Sequence, residues 1–314
     1  MVDDVRDGLP FFLTRDAPLL RRPYRRDAEL HQVRRGVYLE AKVWAGMKPW
    51  ERYAARVEAL ALMWDAPVFC LESAAVRLGV PLFGEPRDIH VVDSSGKSRR
   101  YGDVVVHATS DDLEVMTTGG VSTTSYVDTA LALCRVLPPA FALAVADKAL
   151  RSQTALNGTP TFGVMGRERA DRRGLRQLDW IDARATATAE SVGESVSRAV
   201  IEWLGFEAPE LQVEFFHEGA RDRSDFYFRR RRIVAESDGY GKYDAHDPES
   251  AKAHFVREKI REDRLRRHEG GFARWDWADT LRSSPLGDKL HAAGLTTVRP
   301  REFALLRTLR HNPR

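Results

Sequence analysis

Ser224-Asp225-Phe226-Tyr227-Phe228, then Arg229-Arg230-Arg231-Arg232, then Ile233-Val234-Ala235-Glu236-Ser237-Asp238-Gly239: two runs of alternating side chains flank four arginines. The alternation predicts a β-hairpin over 224–238. With the four arginines as the turn, Phe228 pairs with Ile233 and Asp225 falls opposite Glu236. A tighter turn on Arg230-Arg231 gives the same register, and a turn of odd length breaks it. Asp225, Tyr227, Val234, Glu236 and Asp238 then share one face, while Phe226, Phe228, Ile233 and Ala235 form a core face. Directly opposed residues bring their Cβ atoms to roughly 5 Å, where like charges repel. A hard divalent cation, Mg²⁺ or Mn²⁺, answers that repulsion with carboxylate coordination. Register alone leaves two readings open: a cation-binding pair, or a strand that starts at Asp225 beside a solvated Glu236.

Outward from the hairpin, the pattern predicts a helix over 191–204, a strand over 211–216, a helix over 249–268 and a strand over 272–277. That order implies an α/β (α+β) sandwich around a small sheet. N-terminal to it, Val33–Leu39 reads as a strand or small hairpin, and Tyr53, Val57, Leu60 and Trp64 recur at helical spacing within 50–64. Ser73–Leu78 is a short helix stopped by Gly79 and Pro81; strands follow at Ile89–Val92 and Val104–His107, then helices at 126–137 and 140–151. A Gly- and Arg-rich stretch and the Ala/Thr run Ala183–Ala189 place a domain boundary near 185, giving an N-terminal domain of 1–185 and a C-terminal domain of 186–314.

The 314 residues carry 49 basic and 46 acidic side chains, a net +3, so any affinity for nucleic acid rests on local patches. Cys70 and Cys134 lie in apolar segments without disulfide or zinc spacing and read as buried thiols. The acidic start Met1-Val2-Asp3-Asp4 lacks the features of a signal peptide, and no apolar run is long enough for a membrane span. The expectation is a soluble, cytoplasmic protein with no membrane partner.

Arg223-Ser224-Asp225-Phe226 followed by Glu236-Ser237-Asp238-Gly239 resembles the PD-(D/E)xK nuclease superfamily in its very-short-patch-repair-like (Vsr-like) branch. Glu190-Ser191-Val192-Gly193-Glu194-Ser195 is similar to that branch's helix opening, and Gln212 to its first-strand glutamine. Glu258–Leu265 and Arg274-Trp275-Asp276-Trp277 are similar to its closing helix and strand. The resemblance, over about 186–282, implies a restriction-endonuclease-like α/β/α core with Asp225 and Glu236 as metal ligands and Glu194 supporting the metal or its water. It departs at Asp238, where the superfamily has lysine; Lys242 in the next turn is the candidate replacement, and His246 lies in the same loop. Arg223, Arg229, Arg230, Arg231, Arg232, Lys259 and Arg261 are candidate contacts to phosphate. The alternative for these bases is a solvated hairpin tip and a salt-bridged helix.

Residues 33–151 resemble AbiEi-like antitoxins of type IV toxin–antitoxin systems, on Val33–Tyr38, Ser73-Ala74-Ala75, Ser122–Asp128 and Asp147–Leu150. That resemblance implies a winged helix-turn-helix, here reduced over residues 1–45 to a degenerate arm because Pro10, Pro18 and Pro23 leave no clear helix pair. Two functions are therefore expected in competition. One is a metal-dependent DNA endonuclease in phage defence or DNA repair. The other is a non-enzymatic, DNA-binding regulator of the AbiEi type, with a toxin or defence-system partner, on an inactive nuclease-like fold.

Overall fold

The computed structural model describes residues 9–15, 27–93, 96–153, 161–238 and 248–310, the side chains of 153 and 248–255 aside. The chain divides into two compact units: residues up to Arg135 with Val164–Leu175, and Val136–Gly163 with Arg176 onward. It is an α/β protein, as its patterning implies.

In the first unit, β1 (Phe12–Leu13), β2 (Leu30–Arg34) and β3 (Val37–Glu40) form a sheet in the order β1-β3-β2. The expected hairpin turns at Gly36, whose φ of 85° favours glycine. After α1 (Ala41–Gly46) comes α2 (Pro49–Ala61), which opens on a proline and on Glu51, whose carboxylate accepts from the Lys48 amide at 2.7 Å. Its buried stripe Tyr53, Val57 and Leu60 packs with Ile89, Val91, Val104 and Val106. Those valines and isoleucine belong to a six-stranded sheet of β4 (Val68–Phe69), β5 (Ile89–Asp93), β6 (Arg99–Tyr101), β7 (Val104–Ala108), β8 (Val115–Thr118) and β9 (Val121–Thr124), ordered β6-β7-β5-β4-β9-β8. α3 (Leu71–Leu78) follows β4 and ends at Gly79, as expected; α4 (Tyr126–Val136) follows β9.

Next in chain order are α5 (Pro139–Gln153), α6 (Phe162–Glu168), α7 (Leu175–Asp182) and α8 (Val192–Trp203). α5 belongs with the second unit, so the division is not the single boundary near 185 read from composition. The reason is a buried ion pair: Asp147 of α5 accepts from Arg198 of α8 at 2.6 Å and from the Thr186 amide at 2.8 Å. Asp147 is therefore more than a polar position on a helix.

The second unit continues with β10 (Glu210–His217), β11 (Ala220–Phe228), β12 (Ile233–Ser237), α9 (Pro248–His268) and β13 (Gly271–Trp275), then α10 (Trp277–Arg282), α11 (Ser284–Ala292) and α12 (Phe303–Thr308). The sheet order is β10-β11-β12-β13, antiparallel up to β12 and parallel between β12 and β13. A parallel neighbour needs a crossover, and α9 provides it. The result is an α-β-β-β-α-β sequence of elements in which α8 and α9 frame one mixed sheet. Phe226 stacks on Trp275 at 5.3 Å between centroids, and the indole N–H of Trp275 donates to Ser197 Oγ of α8 at 2.9 Å. Phe215, Tyr227, Val234 and Phe272 instead pack with Leu265 of α9.

β10 and β11 join through Glu218-Gly219, both with left-handed φ, as a two-residue hairpin turn of twisted strands requires. The pairing skips one level: Leu211↔Phe226 and Val213↔Ser224 are partners, whereas Gln212, at φ 53°, is out of the ladder beside Asp225. The hairpin meets α9 on both sides of that level: Asp222 pairs with Arg264 and Glu218 with Arg267, while Tyr227 donates to Glu269 just past the helix.

Two outcomes test this packing. Gly205, at φ 91°, carries a position whose Cβ would lie 2.2 Å from the Arg299 carbonyl oxygen, so Gly205→Ala should lower unfolding free energy by at least about 2 kcal/mol in urea titration. The Arg267 guanidinium, then His268, holds the exposed Glu218 carboxyl down to about 2 from 4.5. A depressed acid stabilises the fold above its unfolded value, so this contribution is present above pH 4.5 and is lost as pH falls toward 2. In a carboxyl-carbon NMR titration, Arg267→Gln should return the Glu218 midpoint toward its ordinary value.

Candidate functional site

The expected hairpin register is present. Phe228 pairs with Ile233, Tyr227 with Val234 and Phe226 with Ala235, which places Asp225 level with Glu236 just past the last paired residues. The four arginines form the turn, closed by the Arg231 amide on the Phe228 carbonyl and the Arg232 amide on the Arg229 carbonyl. The same count across β10 puts Gln212 level with Asp225, and Glu236 is paired with Arg274 of β13. One row thus crosses the sheet: Gln212, Asp225, Glu236, Arg274.

Each carboxylate of the row has its own compensation. Half-buried Asp225 accepts the Ser237 amide of the neighbouring strand at 2.9 Å. Glu236 is buried, and its oxygens are divided between two guanidiniums: Oε1 on Arg261 at 2.6 Å, Oε2 on Arg274. Burial pulls both arginines toward the neutral form, but the acids around them, Glu236 with Glu258 for Arg261 and Glu236 with Asp238 and Glu262 for Arg274, together hold both above the ordinary arginine value. Arg274 also lies 3.5 Å from Asp238, 3.5 Å from Glu258 and 3.6 Å from Glu262. The repulsion that called for a divalent cation is met, for Glu236, by arginine.

Glu194 enters from the first turn of α8, whose N-cap is Ser191. Its amide donates to Ser191 Oγ at 3.1 Å, the N-cap bond to the third helical residue. The carboxylate is buried; it accepts the Glu190 amide at 2.9 Å and the Gln212 side-chain amide at 2.8 Å. That bond orients Gln212, since only the NH₂ end donates to a carboxylate. Gln212 Oε1 is left buried with no hydrogen-bond partner among the described residues. Gly193 leaves room for Ser237, whose Oγ lies 3.0 Å from where a Cβ would stand, so the start of α8 abuts the end of β12.

Most basic candidates are engaged within the chain. Arg223 holds both oxygens of Glu190, Arg229 pairs with Glu210, Arg232 with Glu269, and Lys259 with Glu262 and Asp263. Arg230 and Arg231 are exposed at the turn without an ion-pair partner among the described residues. Lys242 and His246 lie outside the described residues. Among the described residues, no three His, Cys, Asp or Glu side chains converge as a metal would need, and no helix is long and apolar enough to cross a membrane. Cys70 and Cys134 are buried free thiols, as read from sequence.

Sequence reasoning missed the roles of Arg274 and Gln212. The parallel register that sets Arg274 against Glu236 depends on how α9 returns the chain. The left-handed backbone of Gln212 has no local signal, because turn glycine or asparagine is absent there. No protein-family model, curated protein or solved structure matches this chain.

The buried ion cluster gives a stability test. Glu236→Ala leaves two mostly buried guanidiniums facing each other and should cost about 3–5 kcal/mol in chemical denaturation. Adding Arg274→Ala should recover part of that loss, whereas strictly additive losses would show that the two do not act as a pair.

Proposed function

We propose that the second unit is a divalent-cation-dependent phosphodiesterase acting on DNA, in keeping with its resemblance to PD-(D/E)xK nucleases. The observation that carries this reading is the row of Gln212, Asp225 and Glu236 across adjacent strands, beside buried Glu194. The donor set suits a hard cation. Gln212 offers a buried oxygen without a partner among the described residues, and guanidiniums already stand as cations on Glu236. Asp225 and Glu236, with Gln212 Oε1, would hold the ion, and Glu194 would act as a positioning residue through Gln212. When bound, such an ion polarises a phosphodiester and acidifies a water.

The chain's own residues supply the rest. The Ser237 amide fixes the rotamer of Asp225, and Glu194 fixes the amide of Gln212. Arg230 and Arg231, without an ion-pair partner among the described residues, would meet phosphate directly, while the other bases of the hairpin would have to exchange a carboxylate for it. Arg261 and Arg274 supply positive charge at the position where the superfamily lysine is replaced by Asp238.

A second reading has its own support. Glu236 neutralised by two arginines is what a non-enzymatic, DNA-binding regulator of the AbiEi type would keep after losing catalysis. Plasmid nicking in Mg²⁺ or Mn²⁺ separates the two. On the enzymatic reading the full chain nicks, while Asp225→Asn and Glu236→Gln each lower the rate by at least about a hundredfold. A chain that retains a gel shift on duplex DNA but shows no metal-dependent nicking, or nicks equally in both variants, supports the regulator and removes the enzyme.

A further inference from the structure

We propose that Arg261 and Arg274 are a resident counter-ion for Glu236, which a divalent cation must displace before the site can load. The inference rests on the reading of Asp225 and Glu236 as cation ligands. Both oxygens of Glu236 are taken, Oε1 by Arg261 at 2.6 Å and Oε2 by Arg274, so neither is open to a cation while both ion pairs stand. The two arginines come from different elements, α9 and β13, and each has other acceptors to move between. Arg261 donates to Glu258 at 3.1 Å and to the Arg223 carbonyl at 3.1 Å; Arg274 lies within 3.6 Å of Asp238, Glu258 and Glu262. Release from Glu236 therefore leaves neither guanidinium without a counter-charge.

Exposure sets the direction of the exchange. The Glu236 side chain is 7% exposed, whereas Arg261 is 21% and Arg274 30% exposed. Both arginine side chains are thus more exposed than the carboxylate they hold, and the acid becomes available only when they move away from it. Inside this low-dielectric pocket a second positive charge beside them is disfavoured. Cation and guanidinium thus compete for one carboxylate, and removing either arginine charge should raise cation affinity. Gln212 and Asp225 stand at the same level of the sheet as Glu236, on the next two strands, and their side-chain oxygens would complete the oxygen set once Glu236 is released.

The test is Mn²⁺ binding to the full chain, read from the loss of the free-ion EPR signal. Arg261→Gln and Arg274→Gln should each bind Mn²⁺ at least about tenfold more tightly than the unmodified chain. Adding Glu236→Gln to either should abolish the gain. Arg274→Lys keeps the charge and should stay near the unmodified affinity, which a merely steric role for Arg274 would not predict. Unchanged affinity in both glutamine variants overturns the proposal. So does a gain that survives Glu236→Gln, which would place the ion on Glu258 and Glu262 instead. Near-UV circular dichroism checks folding, and should Arg274→Gln lose its native signal, Arg261→Gln alone decides. Nicking measured on the same proteins keeps the two readings apart. A gain in affinity without nicking retains the counter-ion and removes the nuclease; nicking by the unmodified chain without any gain does the reverse.

Discussion

A carboxylate excluded from water must be compensated where it stands, and Glu236 is the carboxylate around which the second unit is organised. Its partners lie 25 and 38 residues further along the chain, one on α9 and one on β13. Bringing both to one residue of β12 fixes the pitch of α9 over the sheet and the parallel register of β13. The neighbouring contacts agree with that constraint. Trp275, one residue past Arg274, stacks on Phe226 and donates to Ser197, while Arg264, one turn past Arg261, pairs with buried Asp222. The polar cluster and the apolar layers are thus positioned by the same alignment, and neither can shift register without breaking the other.

The unpaired level at Gln212 is the second element of the arrangement. Beyond it Asp222 and Glu218 pair with Arg264 and Arg267 of α9, and at it a residue with a Cβ holds a left-handed backbone. The bond from Gln212 to Glu194 offsets some of that strain, and Glu194 is itself anchored by the Glu190 amide. Strain is held at the level of Asp225. There a residue in an unfavourable conformation also keeps a buried oxygen without a partner among the described residues.

The register of the central hairpin was legible because it depends only on local rules: an even turn and strict alternation of side chains. Local signals of another kind, helical spacing and a glycine stop, fixed α2 through Tyr53, Val57 and Leu60 and the end of α3 through Gly79. Long-range pairing was not legible. β4 is two residues long, and β8 is exposed throughout, so neither shows the alternation that marks a half-buried strand. Asp147 has no sequence signal that it meets Arg198, and that pair assigns α5 to the second unit. In the site itself, composition correctly flagged an excess of charge near the carboxylates. It could not distinguish arginines that face solvent from arginines already bound to acids.

That distinction bears directly on what a run of basic residues implies. Arg229 and Arg232 lie in the same run as Arg230 and Arg231, yet the outer two are paired with Glu210 and Glu269 while the inner two have no ion-pair partner among the described residues. Exposed ion pairs such as Arg229–Glu210 are weak, so phosphate can displace the acid at little cost. The Arg261 and Arg274 pairs with Glu236 differ in kind. Their acid is buried, and displacement leaves a charge that needs a new partner in place. On the proposed reading, a polyanion at the hairpin tip would need only simple exchange, whereas a cation at the row of carboxylates would have to arrive as the arginines leave. The two steps would draw on different parts of one charge network, so binding and cutting would be separable by mutation.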